Sequence, residues 1–253
     1  MQNIILKSRR GYEIPCRATY DGQDKVLIVC HGFGSSKSSP MVQTLEREMP
    51  QVGVGVYSFD FPAHGDSPIW DLRVPFCIDD LETVETHVRA AAPGAEILYF
   101  ASSFGAFILL NYLSSRPHEG KRAMLRSAAV AMGGLVDTWV DGRAKADMDR
   151  QGYFVPEYDY VREMRVTPAF LQDLQDYDVF KTYRPGQTGL FMVHGGRDSV
   201  APPEAAKRFA AQFGIILLEL PNGEHDLMGP GELDQVLAAA SSFLAEWKPL
   251  SNP

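Results

Sequence analysis

Apolar residues fall in short unbroken runs along this chain. Each run ends in a polar, glycine-containing turn, and most turns lead into a segment whose apolar positions recur every three or four residues. The run Val26-Leu27-Ile28-Val29-Cys30 has no polar side, as a parallel strand covered on both faces requires. Val52 to Phe59, Ile97 to Phe100, Ala128 to Met132, Leu190 to Val193 and Ile215 to Leu220 read the same way. Residues 3–8 and 12–20 form a two-strand start that turns at Arg10-Gly11. Helical spacing predicts helices over Pro40–Met49 and Ile78–Ala92, the second with an apolar stripe at Ile78, Leu81, Val84 and Val88. Further helices are predicted from Phe104 to about Ser115, from Pro203 to Phe213 and from Leu233 to Trp247. Strands alternating with helices imply an α/β fold: a mostly parallel, doubly wound sheet. The rhythm breaks over 135–187, where helical pieces near 142–149 and 168–176 sit among Asp, Tyr and Arg.

In such sheets the ligand lies beyond the carboxyl ends of the strands. The polar clusters at 31–36, 60–67, 101–105, 194–198 and 221–226 each follow a strand, so all should gather on one edge. Length and composition fit this picture. The 253 residues suffice for one large domain, 1–253, and 45% apolar with 22% charged residues is an ordinary globular balance. A net charge of −8 without a basic run argues against nucleic acid. The amino terminus has too short an apolar run for a signal peptide, and nothing reaches membrane-spanning length. Cys16, Cys30 and Cys77 are far apart and odd in number, which suits buried thiols in a cytoplasmic setting. No C-x-x-C or H-E-x-x-H spacing offers a metal site.

The chemistry concentrates at Ala101-Ser102-Ser103-Phe104-Gly105, between a strand and a helix. Only Ser103 has small residues two positions away on both sides. Centring on Ser102 would place Phe100 and Phe104 there. The pentapeptide by itself fits a nucleophile turn or a loop with an N-capping serine equally well. A serine hydroxyl needs a base, and the base an orienting carboxylate. His225, in the loop after the last strand and before the closing helix, is the candidate base. Asp198 is the candidate acid, with the adjacent Asp226 a weaker rival, because neighbouring side chains in a loop tend to diverge. Oxyanion donors should be the backbone N–H of Phe104, at a helix start, and that of Phe33 in His31-Gly32-Phe33-Gly34. His31, His64 and His194 lie against glycine turns and read as groups that orient backbone. Asp60 reads as a structural turn acid, and His87 and His118 as surface residues.

Together H-G-F-G-S-S, D-F-P-A-H-G-D-S, A-S-S-F-G, H-G-G-R-D-S-V and G-E-H-D resemble the α/β-hydrolase superfamily, across residues 25–247. More narrowly they resemble its lipase/esterase and serine-aminopeptidase branch, which includes monoacylglycerol lipases and cinnamoyl esterases. Ala101 departs from that pattern, which usually has Gly there. The resemblance implies a nucleophile elbow at Ser103, the order Ser103, Asp198, His225, an acyl-enzyme mechanism without a cofactor, and a lid at 135–187.

A carboxylesterase cleaving small apolar or aromatic esters is the expectation. Trp139, Tyr153 and Phe154 are the lid aromatics expected to meet substrate, with Tyr158, Tyr160, Phe170 and Tyr177 nearby. The same rings could simply pack the lid onto the body. Met192 and Met228 are open to the same two readings, acyl pocket or core filler. Acidic residues outnumber basic ones across 135–187, so a lid carboxylate holding a substrate ammonium keeps an aminopeptidase open, and a thioesterase could use the same triad. Outside catalysis, the alternative is a silent hydrolase fold acting as a small-molecule receptor. A haloalkane dehalogenase is disfavoured because it needs an acid where Ser103 stands. A monomer and a homodimer fit the sequence equally well.

Overall fold

The computed structural model describes residues 1–157 and 160–245, with 135–137 described by backbone alone. Tyr158, and the end of the closing helix at Trp247, lie outside that set. Eight strands form one sheet: β1 (Gln2–Lys7), β2 (Glu13–Ala18), β3 (Lys25–Cys30), β4 (Val54–Phe59), β5 (Glu96–Ser102), β6 (Arg122–Arg126), β7 (Gly189–Gly195) and β8 (Ile216–Leu220). Their order is β1-β2-β4-β3-β5-β6-β7-β8. The β1–β2 and β2–β4 pairs are antiparallel. All the others are parallel. This is the mostly parallel, doubly wound sheet expected from the alternating pattern.

Strand β3 shows why its sequence is apolar throughout. Val26, Ile28 and Cys30 face one core cluster, and Leu27 and Val29 face the other. Helices α2 (Val74–Ala91), α3 (Phe104–Ser115) and α8 (Pro203–Phe213) cover the first face. Helices α1 (Pro40–Glu48) and α9 (Glu232–Ala240) cover the second. Helix α3 is buried from Phe104 through Tyr112, so the segment after the candidate nucleophile is the central helix of the molecule.

The sixth strand is not the apolar stretch at 128–132. It is Arg122–Arg126, whose ends are charged. Buried Arg122 is held by Glu96 and donates to the Phe243 carbonyl. Arg126 turns across the sheet edge, so arginines stand at strand positions that a polarity pattern marks as loop. Residues after Ser127 lead instead into α4 (Met132–Trp139), which opens the excursion slightly before position 135. It continues through α5 (Gly142–Gln151), α6 (Pro168–Asp176) and α7 (Val179–Thr182). Asp173 of α6 ties it to the body, with two oxygens on Arg73 at 2.7 Å each and a bond from Val74 N–H. No described helix is long and apolar enough to cross a membrane.

One buried group on α2 has a measurable consequence far from the sheet edge. Asp80 is 1% exposed, accepts one bond from the Tyr12 hydroxyl and leaves Oδ1 without a partner among the described residues. Burial pushes its pKa up to about 7; Asp79 adds to the rise, while Tyr12 and Arg10 oppose it. A raised carboxyl pKa means stability present below the unfolded value, near 3.8, and lost as pH rises through about 7. Asp80→Asn removes that titration. The stability of the variant relative to the parent is expected to rise between about pH 4 and 7 and to stay level above, by roughly 1–3 kcal/mol. Denaturant unfolding across pH checks this; a difference independent of pH would refute it.

Candidate active site

The strand order reverses between β3 and β5, because the chain leaves β3 toward β4 on one side and returns to β5 on the other. The crevice beyond those carboxyl ends is where an open α/β sheet receives a ligand. Loop 31–36 and Ser103 stand at that crevice.

Ser103 joins β5 to α3 in a single residue. Its N–H still bonds to the Arg126 carbonyl at 2.9 Å, as a strand residue would, while its own carbonyl already accepts from Ala106 N–H at 3.0 Å. The turn forces φ to 50° and ψ to −116°, a region costly for any residue with a Cβ. Gly105 is required by space: a Cβ there would stand 2.4 Å from the Cys30 carbonyl oxygen and 2.5 Å from that of His31. Ala101, the departure from the small-residue pattern, is fully buried in the sheet between Cys30 and Leu125. The fold therefore tolerates a methyl at the strand side of the turn but not at its helix side.

His225 Nε2 lies 3.0 Å from Ser103 Oγ, and His225 Nδ1 lies 2.8 Å from Asp198 Oδ2. The carboxylate fixes the tautomer: Nδ1–H donates to Asp198, leaving the Nε2 lone pair to accept from the serine hydroxyl. Asp198 Oδ1 accepts from the N–H groups of Val200 at 2.9 Å and Ala201 at 2.8 Å. His194 Nε2 bonds to the Ala201 carbonyl at 2.8 Å and stands 3.2 Å from Asp198 Oδ2. Burial alone would raise the Asp198 pKa. The bonds from His194 and His225, the charge of His225 and the Ala201 N–H outweigh it and hold the carboxyl well below its ordinary range. Asp226 turns away, accepting from Met228 N–H within its own loop.

Loop 31–36 lies against Ser103: a Cβ on Gly32 would meet Ser103 Cβ at 3.4 Å. Neither Phe33 N–H nor Phe104 N–H has an acceptor among the described residues. The loop is pinned from below by Asp60, which accepts from Lys37 N–H at 2.7 Å, Lys37 Nζ at 2.6 Å and Asp66 N–H at 2.9 Å. Burial would lower the Lys37 pKa, but Asp60 and Asp66 raise it overall. His31 Nε2 accepts from Phe61 N–H and the His64 ring bonds to the Pro62 carbonyl. Burial lowers the pKa of both rings, and neutrality is what His31 needs in order to accept.

The excursion meets this loop through aromatic rings. Phe33 is surrounded by Trp139 at 5.2 Å, Tyr160 at 5.5 Å, His64 at 5.7 Å, Phe104 at 6.0 Å and Phe170 at 6.1 Å. Of the three rings expected to meet substrate, Trp139 is therefore placed against the crevice. Phe154 is 4% exposed and pairs through its backbone with Val166. Tyr153 faces the Arg165 guanidinium. Sequence reasoning missed Arg126 and Ser102, which bond to each other beside Ser103 at 3.0 Å. An arginine outside every predicted element and the first serine of a doublet gave no signal.

A doubly wound sheet with a hydroxyl, an imidazole and a carboxylate joined at its carboxyl edge is the α/β-hydrolase architecture. Residues 21–146 match the family model Hydrolase_4, described as serine aminopeptidase, S33. A putative hydrolase from Agrobacterium vitis S4 superposes with a TM-score of 0.84 at 18% identity, over 96% of this chain and 98% of that one. Est1E from Butyrivibrio proteoclasticus, with ferulic acid bound, gives 0.78 at 17%, over 96% and 98%. A monoacylglycerol lipase from Paleococcus ferrophilus gives 0.73 at 18%, over 92% and 98%. Comparison with curated protein sequences finds no match. The chain therefore has the α/β-hydrolase fold, and its first half is similar to the Hydrolase_4 family.

Proposed function

We propose that this hydrolase is a carboxylic ester hydrolase in which Ser103, His225 and Asp198 form a catalytic triad. The observation that carries the reading is the unbroken hydrogen-bond chain from Ser103 Oγ through the imidazole to the Asp198 carboxylate. Ser103 Oγ attacks the ester carbonyl as His225 Nε2 takes its proton. Asp198 stabilises the imidazolium and holds its orientation. The N–H groups of Phe33 and Phe104 hold the oxyanion, the latter aided by the start of α3. The imidazolium then protonates the leaving alkoxide as the C–O bond breaks. A water deprotonated by His225 attacks the acyl-enzyme, and collapse returns the proton to Ser103. No cofactor enters these steps.

Residues from about 132 to 187 act as the lid, whose rings around Phe33 make the crevice apolar and aromatic and suit a small apolar or aromatic ester. The relatives named for ferulic acid and for monoacylglycerol agree with an ester substrate. Trp139 and Phe154 also line a cavity of about 340 Å³, rimmed by Asp141, Asp147 and Glu157. Those carboxylates would suit the ammonium group of an aminopeptidase substrate. Each already has a partner, however: Asp141 caps α5 through Ala144 N–H, Asp147 pairs with Arg150, and Glu157 pairs with Arg143. This favours the ester reading. Cys16, Cys30 and Cys77 are free and buried, in keeping with a cytoplasmic location.

A fluorophosphonate probe is expected to label one residue, Ser103, located by peptide mapping, and p-nitrophenyl and aryl esters should turn over faster than aminoacyl amides. Absence of labelling would favour the receptor reading. Faster amide cleavage would favour the peptidase.

A further inference from the structure

The base of the proposed triad has a long way to travel. His225 follows β8, the far edge strand, and must reach back over β7 and β6 to Ser103 on β5. Part of the support is on its own side. Arg197 N–H bonds to the Gly223 carbonyl at 2.9 Å, and Gly195 and Gly223 pass so closely that a Cβ on Gly195 would stand 2.4 Å from the Gly223 oxygen. Leu227, two residues after the base, is fully buried and takes φ 46° to get there.

Those contacts hold the loop to β7 and to the core, but not to the nucleophile strand. Arg126 does that. It is the last residue of β6, directly across from Ser102 in the sheet register, and its carbonyl already fixes the Ser103 backbone. Its side chain then lies along the carboxyl edge. Nε donates to Ser102 Oγ at 3.0 Å, and the Nη1 group donates to the carbonyl of Asp226, the residue immediately after His225. Removal from water lowers the guanidinium pKa to about 10, with Asp226 and Asp198 opposing the drop, so the group stays charged at neutral pH. One planar fork thus spans from the neighbour of the nucleophile to the neighbour of the base.

We infer that Arg126 is a positioning residue: its guanidinium braces the loop of His225 against the strand of Ser103 and sets the distance between imidazole and hydroxyl. This rests on the triad reading above. A planar fork can satisfy two acceptors in fixed directions where an ammonium serves them as a point charge, so lysine should replace it only in part. Because proton transfer is sensitive to displacement on the scale of an ångström, loss of the brace is expected to lower kcat by about tenfold to a hundredfold. KM should change little, since no substrate contact is removed.

The test measures kcat and KM on a p-nitrophenyl ester for Arg126→Met and Arg126→Lys, each in the parent and in a His225→Ala background. If Arg126 acts through the imidazole, Arg126→Met lowers kcat in the parent, Arg126→Lys falls between, and neither changes the residual rate once His225 is gone. Equal fold losses in both backgrounds would mean a merely structural role and overturn the inference, as would a parent-background kcat within about twofold of normal. Should Arg126→Met not fold, Arg126→Lys keeps charge and most of the packing and decides alone by the same comparison. Ser103→Ala run alongside separates the two claims. Full turnover in that variant defeats the triad and the brace together, whereas abolished turnover with unaffected Arg126 variants defeats the brace alone.

Discussion

Ser103→Ala is expected to reduce p-nitrophenyl ester kcat/KM by about 10⁴–10⁶-fold, with the variant folded and melting close to the parent. The size follows from the geometry. The only side-chain hydrogen bond of Ser103 among the described residues is to His225 Nε2, so alanine removes the attacking atom and little else. Backbone strain is unchanged, because alanine meets the same cost at φ 50° as serine. Any residual rate should come from the two oxyanion N–H groups and from binding, which act without the nucleophile. Steady-state kinetics with a thermal melt on the same sample checks both halves. Turnover at the parent level would end the esterase proposal.

Asp198→Asn is expected to cost about 10⁴-fold in kcat, by altering the tautomer rather than the shape of the site. Every group facing this carboxylate is a donor: Val200 N–H, Ala201 N–H, His225 Nδ1–H and the nearby His194 Nε2–H. An amide has one oxygen and one NH₂ to offer. With its oxygen on the backbone pair, the NH₂ meets the imidazole and draws its proton to Nε2, pointing it at Ser103. With the amide reversed, two backbone N–H groups lose their acceptor. Stability falls as well. A carboxyl held below its ordinary pKa contributes stability present above about 3.8 and lost as pH falls. Parent and variant should therefore differ most at neutral pH and converge in acid. Asp226→Asn is the control. Among the described residues the one hydrogen bond of its carboxylate is from Met228 N–H, so near-normal kcat is expected there, and a loss equal to that of Asp198→Asn would reverse the assignment of the acid.

The electrostatics around the crevice divide the labour among four histidines. His31 and His64 are buried among rings and backbone, where burial disfavours charge. His194 supports the acid from beneath. His225 alone of the four sits at the opening between a hydroxyl and a carboxylate, the place the proposed base requires. Sequence position distinguished His225 from the rest because it lies in the loop between the last strand and the closing helix, whereas the other three lie against glycine turns at the ends of inner strands.

The sequence by itself determined the sheet and most of its order of elements, because a strand buried on both faces must be apolar at every position and a helix on its flank must carry a stripe. Those demands act on neighbouring residues, so they leave local patterns such as Val26–Cys30 and Ile97–Phe100. It also determined the need for small residues around Ser103, since Gly105 faces a backbone it nearly touches. The tertiary structure decided what depends on residues far apart in the chain. It placed the sixth strand at Arg122–Arg126, where charged ends find partners at Glu96, Phe243, Ser102 and Asp226. It turned Asp198 rather than Asp226 toward the imidazole. It packed Trp139, Tyr160 and Phe170 around Phe33 while pairing Phe154 with Val166 inside the excursion. An arginine looks like loop until its acceptors are in view, because a long side chain satisfies its charge many residues away and leaves no periodicity behind.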